Sequence, residues 1–348
     1  MRAIAYRQTG GPEVLVPIDK PVREPGPGEV RVRIHRSAVN PTDCKTRRAD
    51  GPGKPVDPPQ VPNQDGAGVV DAVGGGVDAA LLGRRVWVWE AAYQRPEGTA
   101  QEYALVPARQ VVPLPEEASF DLGACLGVPF LTAHRTLTVA EDGPAELAPG
   151  ALTGRTVLVA GGAGAVGNAA IQLARWADAT VISTVSSPAK AQLAAAAGAD
   201  HVINYREQDV AAEVRKIVPA GVHCIVEVSP ARNAAIDVAV LGPHGAVAMY
   251  ANDGGTELTL PIRPLMVPNA RWQFVLLYTV PEPAKARAVD SVSAAALAGA
   301  VRVGEQAGLP LHHYPLAETA HAHAAVDEAV VGRAIIDVAG RAIIDVAG

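Results

Sequence analysis

Three cysteines, Cys44, Cys125 and Cys224, are all that the 348 residues contain, and none forms a CxxC pair. Their odd number and wide spacing exclude a disulfide framework and suit a reducing compartment. No run of Lys or Arg stands out and the formal net charge is −6, so the basic footprint of a nucleic-acid binder is missing. No apolar stretch approaches a membrane span. The opening Met1-Arg2-Ala3-Ile4-Ala5-Tyr6-Arg7 spaces its charges through the segment and lacks an apolar core of signal-peptide length. A cytoplasmic location with neither membrane nor nucleic-acid partner is therefore expected. Also lacking are a Ser-His-Asp order, paired carboxylates and an activated nucleophile, which turns attention from hydrolysis to chemistry carried by a cofactor. What the chain does have is 49% hydrophobic against 19% charged residues, a globular composition. Its length exceeds what one core usually serves and predicts two domains.

The most informative stretch is Thr156-Val157-Leu158-Val159-Ala160-Gly161-Gly162-Ala163-Gly164-Ala165-Val166-Gly167, followed by the helical pattern Asn168-Ala169-Ala170-Ile171-Gln172-Leu173-Ala174. A buried strand, a glycine turn and a helix start stand in series, and a second strand, Ala179–Val185, comes next. Glycines let backbone N–H groups approach a pyrophosphate, and the helix N-terminus meets it with partial positive charge. Gly162-x-Gly164-x-x-Gly167 alone is a weak signal, but this context makes it a dinucleotide site with Gly161, Gly164, Ala165, Val166 and Gly167 as binding residues. At the end of the second strand an NAD site usually carries Asp or Glu; this chain has Ser186-Ser187-Pro188-Ala189-Lys190. Two hydroxyls and a Lys suit a 2′-phosphate, so NADPH is the expected cofactor.

The first part of the chain is rich in Pro and Gly and alternates apolar with polar residues at Glu29–His35, Gly68–Val73 and Arg85–Trp89, which predicts short strands of a β-rich domain. Asp121 to Thr138 reads as one helix. Beyond it strands at Thr156–Ala160, Thr180–Val185, His201–Ile203, Cys224–Val228 and Ala246–Tyr250 alternate with helices such as Ala189–Ala197 and Val210–Val218, the pattern of a parallel sheet in an α/β fold. After about Pro268 the chain is expected to return to the first domain, through a strand at Trp272–Tyr278, a helix from Pro283 to Ala300 and a last helix around Ala317–Ala329. Boundaries follow at residues 1–125, 126–268 and 269–348. Arg333–Gly340 is repeated unchanged at Arg341–Gly348. One copy reads as an edge strand, and the second reads as a duplication with no functional role.

Ordered motifs along nearly the whole chain resemble the zinc-independent quinone oxidoreductase, or zeta-crystallin-like, branch of the medium-chain dehydrogenase/reductase superfamily. They are Met1-Arg2-Ala3 with Gly10–Leu15, Ala38–Asp43, Asp65–Gly74, Gly127–Ala133, the glycine loop, and Gly198–Arg206. The resemblance implies a GroES-like β-rich catalytic domain around a doubly wound Rossmann nucleotide-binding domain, and a homodimer. It implies that Thr132 touches the nicotinamide amide or ribose, that Tyr205 lies near the 2′-phosphate, and that Ser229, Tyr250, Asn252 and Arg333 line the cofactor. Where it would place the zinc-binding Cys of related enzymes stands Asn40, and where it would place His-Glu stands Gln64-Asp65. Amides are poor zinc ligands, the cysteine quartet of a structural zinc lobe is missing, and no metal is expected. His321-x-His323 sits at helical spacing two, so the pair points to different faces and cannot chelate.

The implied reaction is hydride transfer from NADPH to a quinone or α,β-unsaturated carbonyl compound, which needs positioning more than acid catalysis. Asn40, Asp43 and Gln64 are the candidate catalytic residues. Asn40 or Gln64 could donate to the developing enolate or quinol oxygen, and the same residues could equally serve turn and domain-interface hydrogen bonds. Many members of the branch carry tyrosines after the Asn-Pro turn; here Lys45 and Gly51 occupy those places, leaving Trp89, Tyr93, Phe130 or Tyr278 to supply an aromatic wall. Two further readings therefore stay open: a tailoring reductase or dehydrogenase dedicated to one metabolite, and a catalytically idle NADPH-binding sensor or structural protein.

Overall fold

The computed structural model describes residues 1–49 and 51–338, so the repeated octapeptide at 341–348 lies outside the described residues. The chain begins with strands β1 (Arg2–Gln8), β2 (Val16–Asp19) and β3 (Glu29–Ala38), helix α1 (Pro41–Arg48), and strands β4 (Pro55–Gln60), β5 (Asp65–Val73), β6 (Arg85–Val88), β7 (Tyr103–Pro107) and β8 (Val111–Pro113). Helices α2 (Phe120–Cys125) and α3 (Leu131–Leu137) follow. Then strands alternate with helices: β9 (Thr156–Ala160), α4 (Ala165–Trp176), β10 (Thr180–Val185), α5 (Pro188–Ala196), β11 (His201–Asn204), α6 (Val210–Ile217), β12 (Val222–Glu227), α7 (Pro230–Val240), β13 (Leu241–Met249), α8 (Ile262–Met266), β14 (Arg271–Phe274) and α9 (Glu282–Leu297). Strand β15 (Leu311–Pro315), helix α10 (Thr319–Asp327) and strand β16 (Arg333–Asp337) close the described chain.

Two compact units result, one from residues 1–128 with the segment from Leu311 onward, the other from Pro129–Pro310. In the first, β15, β16, β3, β5, β6 and β8 lie side by side with β7 also paired to β3, and β2, β1 and β4 form a smaller sheet. The pairs made by β3 with β5, β7 and β16 are antiparallel, as alternating sequences with one solvated face allow. Val30, Val32 and Ile34 on one face of β3 are fully buried and join Val70, Val86, Ala334 and Ile336 in its core.

The second unit is a parallel six-stranded sheet in the order β11-β10-β9-β12-β13-β14. Central β9 is buried along its length, so Thr156-Val157-Leu158-Val159-Ala160 reads as a continuous apolar run instead of an alternation. The order reverses between β9 and β12, the switch point at which α/β sheets open a crevice at their carboxyl ends.

Three expectations are corrected. The single helix from Asp121 to Thr138 is broken: α2 ends at Cys125, Gly127 has φ −63° and ψ −112°, and a π turn over Leu126–Phe130 leads into α3. One cause is local, since Pro129 has no N–H to give the Cys125 carbonyl, and the other lies far away in sequence. The Asp65 carboxylate accepts from the Val128 N–H at 3.0 Å and takes the space a Cβ on residue 127 would need. The return to the first unit comes at Leu311, not near 269, because β14 pairs with β13 (Ala246 beside Arg271, Met249 beside Phe274) and α9 stays in the second unit. The apolar run Trp272–Tyr278 is a strand only to Phe274, after which Leu277–Thr279 winds a single 3₁₀ turn.

Candidate active site

In the first unit, Asn40 caps α1 and Asp43 completes the cap. The Asp43 side chain accepts from the Asn40 N–H at 2.7 Å, with Pro41 at the first helical position where no N–H is needed. The Asn40 amide is committed on both sides: its Nδ2 donates to Asp65 Oδ2 at 2.8 Å, and its Oδ1 accepts from Arg333 Nη1 at 2.8 Å. Arg333 also donates to the Val39 carbonyl at 3.1 Å, and its Nη2 stands 3.7 Å from Asp65. Asn40, Asp43, Asp65 and Arg333 are each at most 4% exposed. Burial drives both carboxyls toward their neutral forms: Asp65 is raised to about 6, Arg333 and Asn40 restraining the rise, and Asp43 is raised to about 8.

Gln64 is also buried, and its Oε1 accepts from the Ala92 N–H at 3.1 Å; no hydrogen bond to its amide nitrogen exists among the described residues. Asn63 before it adopts φ +78° and is held by its own donation to Ser37 Oγ at 2.9 Å and by a contact of its Oδ1 with His323 Nε2 at 2.9 Å. The other ring nitrogen of His323 lies 3.5 Å from Cys44 Sγ. Burial pushes the Cys44 thiol up and the His323 imidazole down to about 3, so this Cys-His-Asn chain is neutral packing, closed to solvent, and not a nucleophile. His321, two residues earlier, is exposed. Among the described residues no group of three or more His, Cys, Asp or Glu is placed to hold a metal ion.

The second unit holds the glycine turn at the carboxyl end of β9. Gly161 has φ +72°, and the N–H groups of Gly161 and Gly162 both donate to the Thr184 carbonyl of β10. A Cβ on Gly162 would collide with Ser183 Oγ, and one on Gly167 with the Gly161 carbonyl, so α4 is pressed against the strand it follows. Gly164 is exposed, is the N-cap of α4 and has no side-chain cap, which leaves the first-turn residues Ala165, Val166 and Gly167 with amides that an anion can satisfy.

Ser186, Ser187 and Lys190 follow β10. Ser187 Oγ caps α5 by accepting from the Lys190 N–H at 3.3 Å, and Lys190 has no carboxylate partner among the described residues. Tyr205, 51% exposed, is tied to this edge by its N–H bond to the Val185 carbonyl at 3.0 Å. At the carboxyl ends of β12 and β13, Ser229 Oγ donates to the Asp253 carbonyl at 2.6 Å, Tyr250 is half-buried with its hydroxyl held protonated by burial, and Asn252 is exposed. The geometry thus gathers Gly161–Gly167, Ser186, Ser187, Lys190, Tyr205, Ser229, Tyr250 and Asn252 along one edge of one sheet. Thr132 is buried in α3. Arg333 belongs to the first unit's buried cluster with Asn40 and Asp65. Asp65 itself is the residue that reading by motif missed as a working group, although its place directly after Gln64 was the available signal.

A GroES-like alcohol dehydrogenase domain model matches residues 26–116, and a zinc-binding dehydrogenase model matches residues 165–294. A human quinone oxidoreductase is 30% identical over 325 residues, covering 93% of each chain. The chain belongs to the quinone oxidoreductase branch of the medium-chain dehydrogenase/reductase superfamily. Among solved structures of these dehydrogenases and reductases, an NAD-dependent alcohol dehydrogenase superposes with TM-score 0.83 at 28% identity, covering 97% of this chain and 100% of that one. A mycobacterial protein complexed with NADPH gives TM-score 0.79 at 28% identity, covering 97% and 99%. Lys45 and Gly51 stand after the Asn-Pro turn, and Trp89 and Phe130 are buried at 3% and 0% exposure. No helix among the described residues is long and apolar enough to cross a membrane.

Proposed function

We propose that this chain is a metal-independent NADPH-dependent reductase that delivers hydride to a quinone or an α,β-unsaturated carbonyl compound. The observation that carries the reading is the sheet edge where an uncapped glycine-turn helix start stands beside Ser186, Ser187 and Lys190 with no carboxylate between them. The fit to a 2′-phosphorylated dinucleotide is good. Gly162 and Gly167 let the turn pack closely against β10 and α4 where any Cβ would collide, and Gly164 to Gly167 would supply amides for the pyrophosphate. Ser186, the Lys190 ammonium and Tyr205 would take the 2′-phosphate, while Thr132, Ser229, Tyr250 and Asn252 would hold the remainder. When bound, the dihydronicotinamide supplies the hydride.

The chain's own contribution is positioning. Gln64, its oxygen fixed by Ala92, keeps an amide donor for a developing oxyanion. Asn40, Asp43 and Arg333 brace the α1 turn, and the acceptor oxygen takes its proton from water. Asn40 and Gln64 occupy the places where zinc relatives carry Cys and His, so activity is expected to survive exhaustive chelation. The test is absorbance at the nicotinamide band with an acceptor panel, and no NADPH oxidation by any quinone or enone would sink the proposal. Lys190→Ala should weaken NADPH by about tenfold or more and leave NADH nearly unchanged, since only NADPH loses a charge-assisted bond. Equal losses, read by fluorescence titration, would put the 2′-phosphate elsewhere. The absence of the tyrosines after the Asn-Pro turn favours a second reading, a reductase dedicated to one larger metabolite, which predicts negligible turnover of simple quinones.

A homodimer is part of the proposal. Strand β14 is an edge of the six-stranded sheet, and its Phe274 and the nearby Leu276 are 70% and 59% exposed, as are Ile262, Met266 and Val267 at 66–78%. Such an edge is a template for pairing with a second copy. Light scattering should give a dimer for the native chain and a monomer for Phe274→Glu; a native monomer at micromolar concentration would overturn this part alone.

A further inference from the structure

We propose that the second unit carries a separate binding site for a compact multivalent anion of the phosphate or pyrophosphate type, built from Arg135 on α3, Arg271 on β14 and Arg287 on α9. Three observations bring the guanidinium groups to one place. Cys224, Ala246 and Arg271 are register partners across β12, β13 and β14, so they share one face of the sheet. Helix α3 lies over that face, because the Cys224 thiol donates to the carbonyl of Thr136, the residue after Arg135. Helix α9 is fixed to α3 by the 3.2 Å contact of His134 Nε2 with Ser291 Oγ, and Arg287 stands one turn before Ser291 on the same helix face.

None of the three arginines has a carboxylate partner among the described residues. The Nε of Arg287 is buried without a hydrogen bond, as is Nδ1 of His134 beside it. Apart from burial, the influences that depress Arg135 are the charges of Arg271 and Arg287, and those that depress His134, to about 4, are Arg135 and Arg287. Folding thus holds three like charges together and gives them no counter-charge, an arrangement that a bound anion would relieve. The place is distinct from the nucleotide edge. Cys224 and Ala246 lie three residues before the carboxyl ends of their strands, roughly 10 Å away at about 3.3 Å per residue.

The probe is sodium pyrophosphate titrated calorimetrically into the full chain at low ionic strength, with NADPH saturating so that the glycine loop is filled. One site per chain is expected, weakened by about tenfold or more in Arg135→Gln and in Arg287→Gln and unchanged in Arg84→Gln. Without pyrophosphate, Arg135→Gln should melt at a higher temperature than the native chain, because a repulsion has been removed, and pyrophosphate should no longer raise that temperature. Should either variant fail to fold, Arg271→Gln, on the exposed strand edge, must show the same loss. No binding to the NADPH-saturated chain overturns the proposal, and so does binding that the arginine substitutions leave intact. A change of oligomeric state in Arg271→Gln without a change in pyrophosphate affinity also overturns it, since the counter-charge would then come from a second copy.

Discussion

Replacing Arg333 by Met is expected to destabilise the protein by about 3–5 kcal/mol at pH 8 and by distinctly less at pH 5. The cost at high pH is that of breaking a buried charge arrangement by removing one partner. Arg333 is 2% exposed, donates to Asn40 and to the Val39 carbonyl, and faces an Asp65 that is fully buried. The pH dependence follows from the direction of the Asp65 shift. Its folded pKa is raised from 3.8 to about 6, so the folded state holds the extra proton. Stability therefore falls as pH climbs from about 4 to about 6 and is level above. Loss of Arg333 removes a group that lowers this pKa, so the proton is held to higher pH and the fall continues through neutrality. At pH 5 the carboxyl is mostly neutral in native and variant chains alike, and only hydrogen bonds are lost. Asp43, raised to about 8, slopes the same way, and because Arg333 lowers it too, the substitution adds to the deficit at pH 8 through this carboxyl as well. Urea denaturation midpoints at the two pH values check this; a deficit equal at both would mean that the buried carboxyls Asp65 and Asp43 do not carry the effect.

The second large effect is expected at the glycine turn. Gly167→Ala sets a methyl against the Gly161 carbonyl and 2.9 Å from Gly162 Cα, both backbone, so α4 must move away from β9. NADPH affinity should fall by about a hundredfold or more, roughly 2.7 kcal/mol, because the amides that meet the pyrophosphate are displaced together. Loss of folding could mimic this, and Gly164→Ala separates the two. Its Cβ would have the Gly161 carbonyl as nearest neighbour at 3.3 Å, with φ at −82°, so the fold should keep its melting temperature. Its exposed methyl would still stand where a pyrophosphate must approach, and NADPH should bind about tenfold more weakly. Native NADPH affinity in a folded Gly167→Ala would remove the dinucleotide from this turn.

The nucleotide unit was legible because its signals are local. A buried apolar run, glycines at fixed spacing and a following helix lie within about twenty residues, and each element forms by rules that act along the chain. The ends of β9 and β10 stand where periodicity put them, and Ser186 to Lys190 come together because they are neighbours in sequence. Asn40 and Asp43 were legible as a pair for a similar reason: three residues apart around Pro41, they are the partners of a helix cap. What that pair does was not legible. Its meaning depends on Asp65 and Arg333, which are 25 and 293 residues from Asn40.

The domain limits show the same division. Trp272–Tyr278 is apolar enough for a strand in either unit, and only pairing with β13 assigns Arg271–Phe274 to the parallel sheet and moves the return to Leu311. The helix expected from Asp121 to Thr138 carries a breaker of its own, Pro129, which has no N–H to give the Cys125 carbonyl at which α2 ends. What tertiary structure adds is the form of the break, in which Asp65 takes the Val128 N–H and the room that Gly127 leaves. The sequence by itself therefore determined that a buried strand runs through a glycine turn into a helix within a parallel α/β unit, because those signals act along the chain. Tertiary structure alone decided which side chains share a buried charge, because desolvation acts on whatever packing brings together. It committed Asn40 to Asp65 and Arg333, closed Cys44 and His323 to solvent, and placed Arg135, Arg271 and Arg287 together without a counter-charge.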